Sequence, residues 1–145
     1  CYTHRRLLAQ TALQLLSEHK NKKAIDILKK ADVEIPDYNV PIDYMSGGLD
    51  MARGWILAGQ KQKAAEYVGK VWKTASQYLS YYLSLDANRF AQAQNDCIRQ
   101  IMIMQSTCEV ASMVDQKTAK KYEDQLNKLY TLYHGRGGQM PNAGN

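Results

Sequence analysis

The sequence predicts an all-α fold, an α-solenoid-like right-handed stack of about three helical hairpins with six helices. Apolar residues recur at three- and four-residue spacing along most of the chain, as they do on the buried face of a helix. The pattern around Ala24 returns around Ala64, 40 residues later. No stretch shows the strict alternation of a strand. The hairpins are expected at about residues 3–35, 41–84 and 86–134, in one domain.

The first hairpin is predicted within residues 7–36. Asn21 is expected at the end of the first helix because asparagine tolerates left-handed backbone angles, and Pro36 follows the second helix, which it cannot continue. Small alanine side chains allow the two helix axes to pass closely. The predicted buried stripes are Leu8, Ala12, Leu15 and Leu16, then Ala24, Ile27, Leu28 and Ala31.

The second hairpin repeats the first in its key positions. The copies pair Ala12 with Ala52, Leu15 with Trp55, Leu16 with Ile56, Lys23 with Lys63, Ala24 with Ala64 and Leu28 with Val68. A small residue, a large apolar residue three further on, an alanine opening the next helix and a proline after it resemble the tetratricopeptide repeat. The second copy departs from that pattern at Val71, where a small residue is usual, and has no closing proline.

The third helix is predicted to start near Pro41 or Asp43, because proline suits a first helical turn. Gly59 is expected to end this helix. Gly47 and Gly48 weaken a helix, so their presence predicts close packing at that point.

The later helices follow from caps and periodicity. The fourth is expected from about Lys61 to Leu83, Asp86 caps a long fifth helix, and Asp115 caps the sixth. A flexible tail is predicted for residues 135–145, which are rich in glycine.

Composition and charge indicate a soluble globular domain. The 19 basic and 14 acidic residues give a net charge of +5, but they are interleaved along every predicted helix. No recognised nucleic-acid motif accompanies them, so solvated helix faces are favoured over nucleic-acid binding. No run of about 18 apolar residues exists, so no membrane span is predicted.

The three cysteines carry little information about function. Cys97 and Cys108 are expected to be packed thiols, because a separation of roughly 16 Å along one helix prevents a disulfide. Cys1 opens the chain without an initiating methionine, which suggests a piece of a longer protein. Acylation of Cys1, as in a lipoprotein, is the less favoured alternative because a helical pattern begins at Thr3.

A more specific resemblance involves residues 5–115. The strings VPIDY at 40–44 and YYLSL at 81–85 are similar to the C-terminal soluble region of a Bacteroidetes membrane-protein family. Those proteins carry a multi-pass N-terminal part similar to protein O-mannosyltransferases. The resemblance implies a soluble domain tethered to the bacterial inner membrane through its parent chain, with the periplasmic side favoured. No residue of this chain matches a catalytic motif of the transferase part.

The sequence contains no recognisable catalytic constellation. His4, His19 and His134 are its only histidines, and no carboxylate or cysteine stands at ligand spacing beside them. We therefore expect no enzyme activity, no metal and no cofactor in this domain.

Two surfaces are candidates for binding a protein or peptide. If the hairpins stack as tetratricopeptide repeats do, the first helix of each lines a concave surface, and two arginines above an apolar floor suit an acidic peptide. The residues carried over to that surface are Arg6, Ala9, Leu13, Ser17, Leu49, Arg53 and Leu57.

The second candidate surface is an aromatic patch of Tyr78, Tyr81 and Tyr82, with Tyr38 and Tyr44 nearby. Tyrosines are frequent at binding hot spots. The favoured alternative is that these side chains seal the join between the second and third hairpins.

The sequence therefore predicts a non-catalytic docking domain of a membrane glycosyltransferase-like protein. The alternative is a free-standing tetratricopeptide-like adaptor that binds a soluble protein or peptide partner. For the docking domain, the expected partner is a protein or peptide, with the membrane part of the domain's own parent chain as one candidate.

Overall fold

The computed structural model describes residues 2–141, and this range contains seven α-helices and no strand. The all-α prediction is confirmed. Predictions about Cys1 and residues 142–145 lie outside the described residues. No described helix is long and apolar enough to cross a membrane. The helices are α1 (Tyr2–Ser17), α2 (Asn21–Glu34), α3 (Gly48–Leu57), α4 (Lys61–Leu83), α5 (Ala87–Gln92), α6 (Gln94–Val114) and α7 (Gln116–Gly135).

The helices contact mainly their neighbours in chain order. Three consecutive pairs, α1 with α2, α3 with α4 and α6 with α7, share extensive contacts. Between pairs, α1 contacts α3, α3 contacts α6, and α4 contacts both α6 and α7. Among the described residues, neither α1 nor α2 has an extensive contact with α6 or α7. Each pair therefore buries its apolar faces against the next pair along the chain.

The two alanines that the sequence pairs across the first two hairpins are buried, as predicted. Ala24 and Ala64 are completely buried. At the same junction Gly54 of α3 lies against α2, where a Cβ atom would come within 2.9 Å of Leu28 Cδ2. The core continues from Trp55 through the third pair without a gap.

The predicted count of six helices is wrong, because the expected fifth helix is two helices separated at Ala93. Asp86 caps the first of them, α5, by accepting a hydrogen bond from the Arg89 N–H at 3.0 Å. Phe90 of α5 is buried and packs edge-on against Tyr133 of α7, with ring centroids 6.0 Å apart. The sequence on both sides of Ala93 favours a helix, so only this tertiary packing reveals the break.

The start of α7 follows its predicted cap, whereas the end of α1 does not. The Asp115 side chain accepts hydrogen bonds from the backbone of Lys117 and Thr118, which confirms it as the N-cap of α7. Asn21 was expected to end the first helix, but it is the first residue of α2. His19 instead takes the left-handed conformation, with φ of 60°. The turn therefore lies earlier in the chain than predicted.

The connector between α2 and α3 folds around the buried side chain of Arg5. The guanidinium donates hydrogen bonds to the carbonyl oxygens of Ile35 at 2.8 Å, Val40 at 2.6 Å and Pro41 at 3.1 Å. It also donates to Ser46 Oγ at 2.9 Å. The Pro41 carbonyl, which a helix starting at Pro41 would need for its first turn, is thus bonded to Arg5 and to the Ser46 hydroxyl. The Asp43 carbonyl accepts from the Gly48 N–H, and α3 begins only at Gly48. The predicted start of the third helix at Pro41 or Asp43 is therefore wrong.

The segment after α7 turns back onto the preceding helices. The Arg136 guanidinium donates to the Leu83 carbonyl at 2.7 Å and lies 4.4 Å from the centroid of the Phe90 ring. The Tyr133 hydroxyl donates to the Gln139 carbonyl at 2.8 Å. The predicted tail, residues 135–145, therefore begins with residues that contact α4, α5 and α7.

Candidate binding groove

Three neighbouring cavities share Tyr44 in their walls, and we call them together the Tyr44 groove. The cavities have volumes of about 430, 190 and 100 Å³, and Tyr44 lines all three. The groove therefore combines residues from the connector and from α1, α3, α4 and α6. Besides Tyr44, its main lining residues are Arg6, Met45, Leu49, Asp50, Arg53, Val71, Thr74, Tyr78, Ile98, Arg99, Met102, Ile103, Ser106 and Glu109.

The position of Tyr44 is fixed by a close approach of the connector to α1. Gly47 has φ of 87°, and a Cβ atom there would lie 2.8 Å from Arg6 Cα. Glycine avoids both the strain of that backbone conformation and the clash. One turn earlier, Asp43 Oδ1 accepts a hydrogen bond from the Ser46 N–H at 2.8 Å. The close packing predicted for the glycine pair is confirmed, and it places Tyr44 beside Arg6.

The larger cavities expose apolar side chains. Met102 of α6 is 55% exposed, Met45 is 63% exposed and Tyr78 is 51% exposed. Beneath them Ile103 is almost completely buried and joins the groove to the core. Single exposed apolar residues are common, but a convergence of several in one depression is typical of an interaction site.

The smallest cavity has a charged wall formed by Arg6, Asp50 and Arg53. Arg53 donates to Asp50 Oδ1 at 3.2 Å, and Arg6 Nε lies 3.9 Å from Asp50 Oδ2. Two guanidinium groups thus share one carboxylate. Both arginine side chains remain accessible, with 57% of Arg6 and 40% of Arg53 exposed.

The structure brings together three residues of the predicted concave surface, namely Arg6, Leu49 and Arg53. Leu49 is only 2% exposed, so it belongs to the core beneath the cavity and not to an open face. Ala9 is completely buried, which contradicts its expected exposure. The reason is the orientation of α1, because Arg5, Ala9, Ala12 and Leu16 lie on one helical face and all four are buried.

The other three predicted residues of that surface do not line the Tyr44 groove. Leu13 is half-buried, and Leu57 is exposed at the end of α3. Ser17 is exposed and donates its hydroxyl to the Gln14 carbonyl at 2.6 Å.

The predicted tyrosine patch forms one cluster that joins the groove. The rings of Tyr78 and Tyr82 are stacked with centroids 6.3 Å apart, and Tyr81 lies 5.7 Å from Tyr82. Tyr82 packs against the core, and burial together with the nearby Asp96 raises its pKa. Tyr78 also lines the groove beside Tyr44. The cluster thus seals part of a helix junction and exposes part of its surface.

Sequence reasoning missed the contribution of α6 and of Asp50. Helical spacing predicts an apolar stripe for that helix that leaves out Met102, and an apolar residue off the stripe was the available signal for an exposed site; the stripe is Phe90, Cys97, Ile98, Ile101, Met104, Cys108 and Ala111. Asp50 precedes Arg53 by three positions, a spacing that brings side chains together on one helix face. Ser106 carried no signal in the sequence.

A second polar cluster joins α2 to α4 away from the groove. The Tyr67 hydroxyl donates to Asp32 Oδ1, and Lys63 Nζ lies 3.1 Å from Asp32 Oδ2. Burial, followed by the hydrogen bond with Asp32, raises the pKa of Tyr67 well above its ordinary value, so its hydroxyl keeps its proton. Within residues 2–141, no three His, Cys, Asp or Glu side chains are grouped as metal ligands would be. This cluster links two helices.

Comparison of this chain with protein-family models, with curated proteins and with solved structures finds no match. The resemblances to tetratricopeptide repeats and to the Bacteroidetes membrane-protein family therefore stay predictions.

Proposed function

We propose that this domain is a non-catalytic docking module that binds a protein or peptide segment in the Tyr44 groove. The observation that carries the proposal is that the partly exposed Tyr44, Met45, Tyr78 and Met102 line two cavities that share Tyr44 and Ile103. Aromatic and methionine side chains offer large apolar contact areas, and both are enriched where proteins bind one another.

We also infer that the three helix pairs form a right-handed tetratricopeptide-like solenoid. Contact between successive pairs, without extensive contact between the first and the third, is the arrangement expected of a repeat stack. The first helices of the pairs, α1, α3 and α6, all contribute to the Tyr44 groove, as the concave surface of such a stack requires. In this proposal α5 is an insertion between the second and third pairs.

The proposed occupant of the groove is the membrane part of the same parent chain. This assignment rests on the VPIDY and YYLSL strings and on the transferase-like architecture that they imply. The domain is then tethered to the bacterial inner membrane, on the periplasmic side, and supports the parent protein by docking without performing sugar transfer. The alternative, an adaptor that binds a soluble partner, places a segment of another protein in the same groove.

The docking proposal is tested by co-purification of the tagged domain with the separately expressed remainder of its parent chain. Met102→Glu introduces a charge at the apolar part of the groove and should abolish co-purification. Met113→Glu is a matched control, because the two methionines lie on α6 and are 55% and 54% exposed. Met113 is eleven residues further along the helix, roughly 16 Å away.

Loss of co-purification with Met102→Glu and retention with Met113→Glu would support docking through the groove. If Met102→Glu and Met113→Glu co-purified to the same extent, with unchanged melting temperatures, docking through the groove would be excluded. Failure of the wild-type domain to bind the remainder of its parent would remove the proposed occupant and favour the adaptor alternative.

A further inference from the structure

The smallest cavity of the Tyr44 groove is surrounded by an excess of hydrogen-bond donors. Arg6, Arg53, Tyr44 and Ser106 line this cavity and each carries a group that can donate a hydrogen bond, and Asp50 is the only acidic residue among the lining residues. Arginine cannot accept a hydrogen bond, whereas the two hydroxyl groups can donate or accept. This composition favours a ligand that accepts hydrogen bonds.

The charges at this cavity are also unbalanced. Asp50 forms ion pairs with Arg53 at 3.2 Å and with Arg6 at 3.9 Å, and neither arginine has a second carboxylate partner among the described residues. One positive charge therefore remains uncompensated beside the cavity. The longer distance to Arg6 leaves its guanidinium available to a second anion, and 57% of its side chain is exposed.

Ser106 differs from most serines on the helices of this protein. Ser17, Ser76 and Ser112 each donate their hydroxyl to the backbone carbonyl three residues earlier. The Ser106 hydroxyl makes no hydrogen bond to any other residue within 2–141, and Ser106 lines both the smallest and the largest of the three groove cavities. It is therefore available to a ligand that spans the two.

The dimensions of the cavities suit a small anion beside a larger apolar group. The smallest cavity has a volume of about 100 Å³, which corresponds to roughly three water molecules in the liquid. That space accommodates a carboxylate. The adjoining cavity of about 430 Å³, lined by Tyr44 and Met102, accommodates a large apolar side chain.

We propose that the Arg6–Arg53 cavity is a carboxylate subsite for an extended peptide, whose neighbouring large apolar side chain enters the cavity lined by Tyr44 and Met102. This inference rests on the proposed docking function and specifies the chemistry of the docked segment. An Asp or Glu side chain and a C-terminal carboxylate present the same group, so the experiment includes both.

The probe is a library of random dodecapeptides displayed on phage, in one format with free C-termini and in another with internal peptides. Selection against the wild-type domain should enrich peptides with a carboxylate a few residues from a large apolar side chain. Enrichment in the internal format would assign the subsite to Asp or Glu, and enrichment only with free C-termini would assign it to a chain terminus.

Recovered peptides are then measured by fluorescence anisotropy against purified variants. Arg6→Gln with Arg53→Gln should weaken binding about tenfold or more, because charge-assisted hydrogen bonds to the carboxylate are lost. Arg89→Gln is the matched control: Arg89 also pairs with an aspartate three residues earlier, but outside the groove. Asp50→Asn should strengthen binding severalfold, since it removes the competing carboxylate. If Asp50 only supported the fold, Asp50→Asn would weaken peptide binding instead.

The subsite would be excluded if no peptide were enriched, if enriched peptides lacked a carboxylate, or if they bound the double arginine variant as tightly as the wild type. Co-purification with the parent chain separates this outcome from failure of the docking proposal. If the double arginine variant still co-purified with the parent chain and Met102→Glu did not, docking in the groove would be supported and the carboxylate subsite would be rejected.

Discussion

His19 and Gly59 occupy equivalent positions in the first two helix pairs, and both have left-handed backbone conformations. They are 40 residues apart, with φ of 60° at His19 and 81° at Gly59. After each of them the next N–H donates to the carbonyl five residues earlier, at 2.8 Å in both turns. The two copies therefore share one turn geometry, although only the second has the residue that suits it.

Replacing His19 with glycine should stabilise the protein. A left-handed conformation costs a residue with a Cβ atom roughly 1–2 kcal/mol, and the greater freedom of glycine in the unfolded chain offsets part of that gain. We expect His19→Gly to raise the free energy of unfolding by about 0.5–1 kcal/mol, measured by urea denaturation.

The reverse experiment at Gly59 provides the control. A Cβ atom at Gly59 would have nothing within 4 Å, so Gly59→Ala changes only the backbone preference. It should lower the free energy of unfolding by about 1 kcal/mol. If His19→Gly and Gly59→Ala changed the free energy of unfolding in the same direction, the shared turn geometry would be contradicted.

Arg5 and Arg6 should differ sharply in their effect on stability despite being adjacent. Arg5→Ala removes four hydrogen bonds to the connector and takes the donor away from the Ile35 and Val40 carbonyls, so the variant should lose at least about 3 kcal/mol of unfolding free energy. Arg6→Ala removes an exposed ion pair and should cost less than about 1 kcal/mol. Thermal and urea denaturation of both variants test the difference, and similar losses would show that the connector does not depend on Arg5.

Ala64 and Ala65 provide a comparable pair on α4. Ala64 is completely buried, and a larger side chain there should cost roughly 1–3 kcal/mol by overpacking. Ala65 is exposed, so the same substitution should change stability by less than about 0.5 kcal/mol. Melting curves of Ala64→Leu and Ala65→Leu measure this contrast, and a greater loss from Ala65→Leu would contradict the packing of α4.

Cys97 and Cys108 should react slowly with thiol reagents in the folded protein. Both are buried, and burial followed by the nearby Glu123 and Glu109 raises the pKa of Cys108 to about 11. Burial also raises the pKa of Cys97. Relative to a thiol of pKa 9, the reactive thiolate of Cys108 is about a hundredfold scarcer at pH 8.

The measurement uses a Cys1→Ser variant, so that only these two thiols contribute to the signal. Labelling at pH 8 should be slow in buffer and rapid in denaturing urea. Rapid labelling of both cysteines in the folded protein would contradict their burial.

Much of the helical structure was predictable because it depends on local interactions. The caps Asp86 and Asp115 act on backbone groups within three residues, and the spacing of apolar residues sets the buried face of a helix. The burial of Ala24 and Ala64 was predictable too, since the two alanines stand 40 residues apart at matching positions of the apolar pattern. The sequence by itself determined the helical class and most helix positions.

The site depended on contacts that sequence spacing does not encode. Arg5 bonds to Ser46, 41 residues away, and that connection moves the start of α3 to Gly48 and holds Tyr44 at the groove. The same contact turns Ala9 inward and leaves Arg6 at the surface. Met102 and Ser106 reach the groove only because α6 contacts α3. Tertiary structure alone decided these positions, because a side chain becomes buried or exposed according to which distant helix covers it.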